Sequence, residues 1–448
     1  MSTTQNSNRR EMMTQTPVPQ LILKMSVPTI ISMLVTAIYN TADTFFVGKI
    51  STQATAAVGI VFTVMALVQA IGFFCGHGSG NYLSRMLGAG KHKEADEMAS
   101  TGFAIAIIIG IIIAAVGNLF VTDLSYLIGA TETTLEDTQN YMRIILLGAP
   151  FMIGQFVINN QLRFQGSAMY AMVGLMCGAV MNMGLDPLLI FVFHMGVRGA
   201  AIATIAGQIT SFFVLYIGSK RGENIRLKLS NVHINGYYIK EIINGGAPSL
   251  FRQGMAAIST LLLNRAAGSL GGDAAIAGMS ITTRVMMMLM SALIGFGQGY
   301  QPVCSFNYGA GLLKRVKEGY FFCVKYATVF LTIVGAICFV FAPQVIGIFR
   351  NDADVIAVGT VALRCQSATL PLGAALVISN MMLQSIGKGV KASITSSARN
   401  GIFFIPLILI LPAIFGILGV EITQACADVL SLALTLPLAA SELKKFNE

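Results

Sequence analysis

Residues Phe164 to Val197 carry one formal charge, Asp186, and residues Met25 to Gly48 carry one, Asp43. Apolar runs of this length constrain the fold more than any other feature, because roughly 20 helical residues cross a bilayer core and every backbone group there must be satisfied within the protein. Only helices meet that demand segment by segment. An acid at the centre of such a helix costs on the order of 2.5–3.5 kcal/mol on insertion scales, so a chain that keeps two of them has a use for them. Hydrophobic residues make up 55% of the chain and charged residues 11%, against about 25% charged in soluble domains. These observations predict an all-α polytopic membrane protein and exclude a soluble domain.

Twelve charge-poor windows follow one another, six from Leu21 to Gly218 and six from Ala247 to Ala440. The reading divides the chain into a polar tail (1–20), a first lobe (21–218), a basic linker (219–243), a second lobe (244–440) and a short tail (441–448). The first twenty residues have neither a compact apolar core nor a small-residue cleavage site, so no cleaved signal is expected. With the N-terminus inside, 20 of the 29 Lys and Arg fall in inner segments, Arg85 and Arg163 among them. The positive-inside rule therefore predicts both termini in the cytoplasm of a multi-pass cell-membrane protein. The net charge of +9 needs only topology and anionic lipid to explain it, with no nucleic acid as partner.

The two sets of six windows repeat one another. Pro28 matches Pro248, Gly76-His-Gly-Ser-Gly80 matches Gly295-Phe-Gly-Gln-Gly299, and Leu87-Gly-Ala-Gly90 matches Tyr308-Gly-Ala-Gly311. Pro150, Asn159, Leu162 and Gly166 match Pro371, Asn380, Leu383 and Gly387, all at offsets of 219–221. Such a constant offset over ordered anchors predicts a duplication into two pseudo-symmetric six-helix lobes, related by an axis along the membrane normal, with a cavity between them.

The acids break this symmetry. At the same offset Asp43 falls opposite Leu262 to Asn264, and Asp186 opposite Ile405 to Leu407. Coupling chemistry is therefore expected in the first lobe. The rivals are Asp428, which can face the interior, and Glu421, which is expected to be exposed at a span end. Asn182 and Asp186 are i and i+4, as are Tyr39 and Asp43, while Asn40 lies three residues before Asp43, so each helix has one wet face. With Thr204, carboxylate, amide and hydroxyl oxygens converge as a hard cation such as Na+ requires. The same acids, desolvated and close together, can hold a proton instead. Pro28, lacking an N–H, is the expected hinge of the first span. The seven cysteines are scattered singly and the four histidines are isolated, so no resident metal cluster, cofactor or covalent chemistry is expected. No nucleotide motif or activated nucleophile argues for an enzyme.

The motifs Tyr39-Asn-Thr-Ala-Asp43-Thr-Phe-Phe-Val-Gly48, Leu87-Gly-Ala-Gly-Lys91, Asn182-x-x-x-Asp186-Pro187, Gly199-Ala-Ala-x-Ala-Thr204, Gly246-Ala-Pro-Ser249 and Asn307-Tyr-Gly-Ala310 carry a family likeness. The chain resembles a multidrug and toxic compound extrusion (MATE) transporter of the DinF-like or MepA-like prokaryotic branch. The resemblance implies a V-shaped pair of bundles that exports bulky, often cationic organic compounds in exchange for H+ or Na+. Asp43, Asn182, Asp186 and Thr204 match that branch's cation cluster. Tyr39 and Asn159 match its drug-facing wall, to which Asn40 and Asn182 are added here. Twenty-four Met and 27 Phe offer a deformable, polarizable lining suited to lipophilic cations. The alternative is a lipid-linked precursor flippase on the same architecture. A monomer is expected.

Overall fold

A computed structural model describes residues 3–222 and 224–446; of residues 3–7, Asn40, Thr41 and Thr44 it describes the backbone alone. A short helix, α1 (Thr3–Gln15), precedes the spans. The first lobe contains α2 (Val18–Gly48), α3 (Thr52–Gly88), α4 (His92–Leu119), the short α5 (Val121–Leu127), α6 (Leu135–Leu147), α7 (Ala149–Phe164), α8 (Ala168–Pro187) and α9 (Gly196–Lys220). In the second lobe α10 (Gly236–Gly309) is followed by α11 (Leu313–Val340), α12 (Ala342–Phe349), α13 (Ala353–Thr369), α14 (Leu372–Ser385), α15 (Gly389–Ser397), α16 (Phe404–Phe415) and α17 (Ile417–Lys445). Among the described residues nine helices are long and apolar enough to cross a membrane, and eleven spans result when α6 with α7 and α13 with α14 each count as one, bent by 49° and 56°. Because α10 is two helices meeting at Gly272, whose φ of 60° no helix accommodates, the spans number twelve.

Local chemistry repeats with the predicted offset. Helices α3 and α10 both end on a glycine at positive φ, Gly90 at 78° and Gly311 at 76°. In each case the next amide reaches back into the helix, Lys91 N to Met86 O and Leu312 N to Asn307 O, both at 2.8 Å. Helices α7 and α14 close in the same way over Gly166 and Gly387, with Ser167 N to Leu162 O and Lys388 N to Leu383 O at 2.9 Å. A left-handed residue is cheap only for glycine, so these four positions fix where the spans stop. Asn159 donates to Ala171 O at 2.9 Å, and Asn380, 221 residues later, donates to Ala392 O at 2.7 Å. Duplication is thus visible in individual hydrogen bonds.

The lobes meet where α2 and α3 cross α10, and small residues allow the crossing. A side chain at Gly88 would overlap the Phe306 carbonyl, one at Gly309 the Arg85 carbonyl, and one at Gly246 the Phe74 carbonyl. Ser26 donates to Phe296 O at 3.0 Å and Ser305 to Asn81 Oδ1 at 3.1 Å across the same seam. Both described ends of the chain pack beside it. Helix α1, in the segment read above as a polar tail, buries Met13 completely, and Asn307 and Arg315 donate to the Met13 carbonyl and to that of Thr16 just beyond the helix. Phe446 lies 6.1 Å, ring to ring, from Tyr308.

Three polar residues sit differently from expectation. Glu421 is 4% exposed rather than interfacial, because α17 begins at Ile417 after the turn at Gly416 and packs back on α16. Arg85 and Arg163, counted above as loop cations, are 9% and 2% exposed at the inter-lobe seam. Hydropathy marks a charge as a span boundary whether water or another helix receives it. Asp428 is ion-paired with Arg399 at 2.7 Å and also accepts from Gln424 at 2.8 Å.

Two stability outcomes follow from the packing. Gly88→Ala should lower stability by about 1–3 kcal/mol through overpacking, whereas Gly59→Ala, whose added carbon would meet nothing within 4 Å, should be neutral or stabilising; thermal unfolding in detergent compares them. Asp428→Asn should cost about 3–5 kcal/mol because it strands Arg399, and an unchanged melting temperature would contradict the pairing.

Candidate functional site

The first-lobe polar residues converge near the far ends of α2 and α8, away from the chain termini. At 1.5 Å per residue, Asp43 stands roughly 37 Å along α2 and Asp186 roughly 27 Å along α8. Helix α9 brings Thr204 beside them because α8 and α9 approach closely: a side chain at Gly207 would come within 2.7 Å of the Gly178 carbonyl and 3.0 Å of Asn182 Cβ. Only glycine permits that spacing, so the small residues of this helix pair position the polar ones.

Asp186 is fully buried, and neither carboxylate oxygen has a hydrogen-bond partner. Asp43 acts on it electrostatically. Asp43 Oδ1 is likewise buried and unpartnered. Asn182, 3% exposed, leaves both its amide nitrogen and its oxygen unpaired. Thr204 donates its hydroxyl hydrogen to Ala200 O at 3.0 Å, which leaves oxygen lone pairs free to accept or to coordinate. No salt bridge among the described residues involves Asp43 or Asp186. Buried polar groups are normally satisfied, and a buried charge lacking a partner costs several kcal/mol. One unpaired buried carboxylate, a second acid with an unpartnered oxygen and an unpaired amide make a group that can take a small cation or protons.

A small cavity opens beside this cluster, lined by Thr36, Tyr39, Gln155, Asn182, Thr204 and Gln208 and leaving about 30 Å³ for water. A water needs roughly 10–15 Å³ by that measure. Ions and a few waters fit; a bulky organic molecule does not.

The structure brings together Tyr39, Asp43, Asn182, Asp186 and Thr204. It places Asn159 elsewhere, with its amide committed to Ala171 O and 5% exposed. The side chain of Asn40 lies outside the described residues. Pro28 sits inside α2, ten residues from the start of that helix at Val18 and so nearly three turns in. Two contributors were missed. Tyr141, fully buried on α6, interacts with Asp43, Asp186 and Thr204. Gln208 lies beside Tyr39. The signal for Gln208 was present: Thr204, Gln208 and Ser211 form an i, i+4, i+7 polar stripe on an apolar helix. Tyr141 reaches the site only through the bend between α6 and α7, which no periodicity announces.

Comparison with known proteins agrees with this architecture. The chain is 28% identical to the multidrug export protein MepA of Staphylococcus aureus, over 91% of its own length and 90% of the relative's. It is 27% identical to the MepA of Staphylococcus saprophyticus, over 89% and 88%. Among solved structures it superposes on an outward-facing multidrug resistance MATE family transporter of the MOP superfamily with a TM-score of 0.91, at 25% identity and 98% coverage of both chains. The MatE family model matches residues 28–188 and 248–410, one segment in each lobe, and with twelve spans, duplicated lobes and these full-length likenesses the chain belongs to the MATE family of transporters.

Proposed function

We propose that the protein exports lipophilic organic cations from the cytoplasm in exchange for H+ or Na+, with Asp43, Asn182, Asp186 and Thr204 as the coupling site. The observation that carries this reading is the uncompensated acid pair, Asp43 and Asp186, beside an unpaired Asn182 and a water-sized cavity. Two carboxylates held in a low-dielectric lobe are neutralised either by protons or by a bound cation. A lipophilic cation sharing the same negative field competes with that ion, and the competition is the exchange. MepA relatives are named as multidrug export proteins, which supports broad substrate range. The cavity at the acids is too small for such substrates, so they occupy the space between lobes, against the Tyr39 face, with residues 21–218 and 244–440 moving as units about the segment 219–243. Both termini lie in the cytoplasm on this reading. The functional unit is a monomer.

Pro28 supplies the moving part. It cannot donate to the Lys24 carbonyl, and Thr29, Ser32 and Thr36 hydroxyls bond back to the carbonyls of Met25, Pro28 and Ser32 at 2.8 Å. Such back-bonding loosens and bends a helix that already lacks one rung. Ion binding at Asp43 then redirects the outer part of α2.

Two outcomes test this reading. In vesicles loaded with a cationic dye and given an imposed pH or sodium gradient, wild type should extrude dye, with the gradient that drives it identifying the ion. Asp186→Asn should abolish gradient-driven efflux while holding or raising the melting temperature, since it removes an unpaired buried charge; wild-type efflux in that variant sinks the assignment. Pro28→Ala, which restores the rung, should slow efflux several-fold with dye binding retained, and normal transport would reduce Pro28 to a tolerated proline.

A further inference from the structure

At the opposite end of the interior from the acids, where the lobes meet, two guanidinium groups, one buried and one half-buried, have no carboxylate partner among the described residues. Arg163, at the end of α7, is 2% exposed. Its terminal nitrogens donate to Asn160 Oδ1 and Gln298 Oε1 and approach His77 Nε2 at 3.4 Å, while Nε is buried without a partner. Arg252, on α10, is half-buried, and its one recorded bond is a long 3.5 Å contact to Asn380 Oδ1. His77 stands between them: Ser249, one turn before Arg252, lies 2.9 Å from His77 Nδ1, and both arginines act electrostatically on the imidazole. Around this cluster Gln384 donates to Ser249 Oγ at 2.9 Å and Gln301 to Gln384 Oε1 at 3.0 Å, so the neighbours are neutral dipoles.

The contrast with nearby arginines is informative. Arg85 at the same seam pairs with Glu241 at 3.1 Å, and Arg399 in the second lobe pairs with Asp428 at 2.7 Å. Among the described residues no Asp or Glu forms a salt bridge with Arg163 or Arg252. The duplication offers no structural reason for them either, since their counterparts at offsets of 221 and 220 are the uncharged Gln384 and Ser32. A buried guanidinium with an orphaned N–H and a half-buried one on the opposite lobe, both beside His77, lack a counter-charge, and guanidinium forks suit carboxylate and phosphate oxygens.

We propose that Arg163 and Arg252 form a binding site for a carboxylate or phosphate group at the seam between the lobes. The site takes the anionic end of an organic substrate and adds anionic and zwitterionic compounds to the range the acid cluster suggests. Because one arginine comes from each lobe, an anion held by both also favours the arrangement in which this seam is closed. The proposal does not depend on the coupling role of Asp43 and Asp186.

The test uses the full chain in nanodiscs of zwitterionic lipid, with 9-anthracenecarboxylate as fluorescent probe and tetraphenylphosphonium as its cationic counterpart. Wild type should bind the carboxylate saturably. Arg252→Gln should weaken that binding at least about tenfold, or 1.4 kcal/mol, and change tetraphenylphosphonium binding less than twofold; Arg252→Lys should fall between. Arg163→Gln should lose carboxylate binding as well, and if it fails to fold the Arg252 pair of variants still decides. Displacement by millimolar inorganic phosphate would show that the charged group suffices, and its absence alongside saturable probe binding would show that the organic body is required; either supports the site. No saturable binding to wild type, or equal binding to Arg252→Gln, overturns it.

Discussion

A carboxylate in a low-dielectric interior with neither counter-charge nor hydrogen-bond donor is costly to keep ionised. Asp186 is in that position, and most of the first lobe is arranged around it. The glycines that let α8 and α9 touch bring Asn182 and Thr204 to its side. The bend between α6 and α7 delivers Tyr141, and Asp43 on α2 adds a second negative charge instead of a balancing positive one. Each of these choices costs stability in the empty protein. Together they produce the acid cluster proposed above as the coupling site.

The second lobe resolves the same problem in the opposite way. One of its buried acids, Asp428, receives Arg399, Gln424 and Thr369, whereas the buried Glu421 forms no salt bridge among the described residues. Asp186 is thus left without a counter-charge while Asp428 has one, so the pseudo-symmetric helices do not imply symmetric chemistry. The seam between them carries the remaining imbalance, in Arg163 and Arg252. Charge of one sign at the far end of the first lobe and of the other at the seam gives the interior a polarity along the membrane normal, and an amphiphile with a charged end is oriented by such a field.

Much of this was legible in the residues. Twelve spans follow from apolar length, because backbone in lipid admits few alternatives. Asp43, Asn182 and Asp186 stood out because a charge is conspicuous in an uncharged run and helical spacing places its polar neighbours on the same face. What could not be read depends on contacts distant in sequence. Arg163 looks like a loop cation until α10 is packed over it. Glu421 looks interfacial until α17 folds back on α16. The tail before Pro17 reads as merely polar, yet Met13 is buried and its carbonyl accepts from Asn307, some three hundred positions away. Tyr141 belongs to the site through a bend at Gly148, and hydropathy does not record the direction of a bend.

The central claim is that ion and organic cation compete for the field of the first-lobe acids. Linkage then requires each to weaken the other by the same factor, usually 1–3 kcal/mol or roughly 5- to 150-fold. Tetraphenylphosphonium affinity, measured on purified protein across sodium concentration and pH, reads that factor directly. Affinity in wild type should fall as sodium rises or pH drops, and Asp43→Asn and Asp186→Asn should each flatten the dependence. An affinity independent of both ions in wild type, or an ion dependence that survives in both variants, would contradict the assignment of coupling to these two carboxylates.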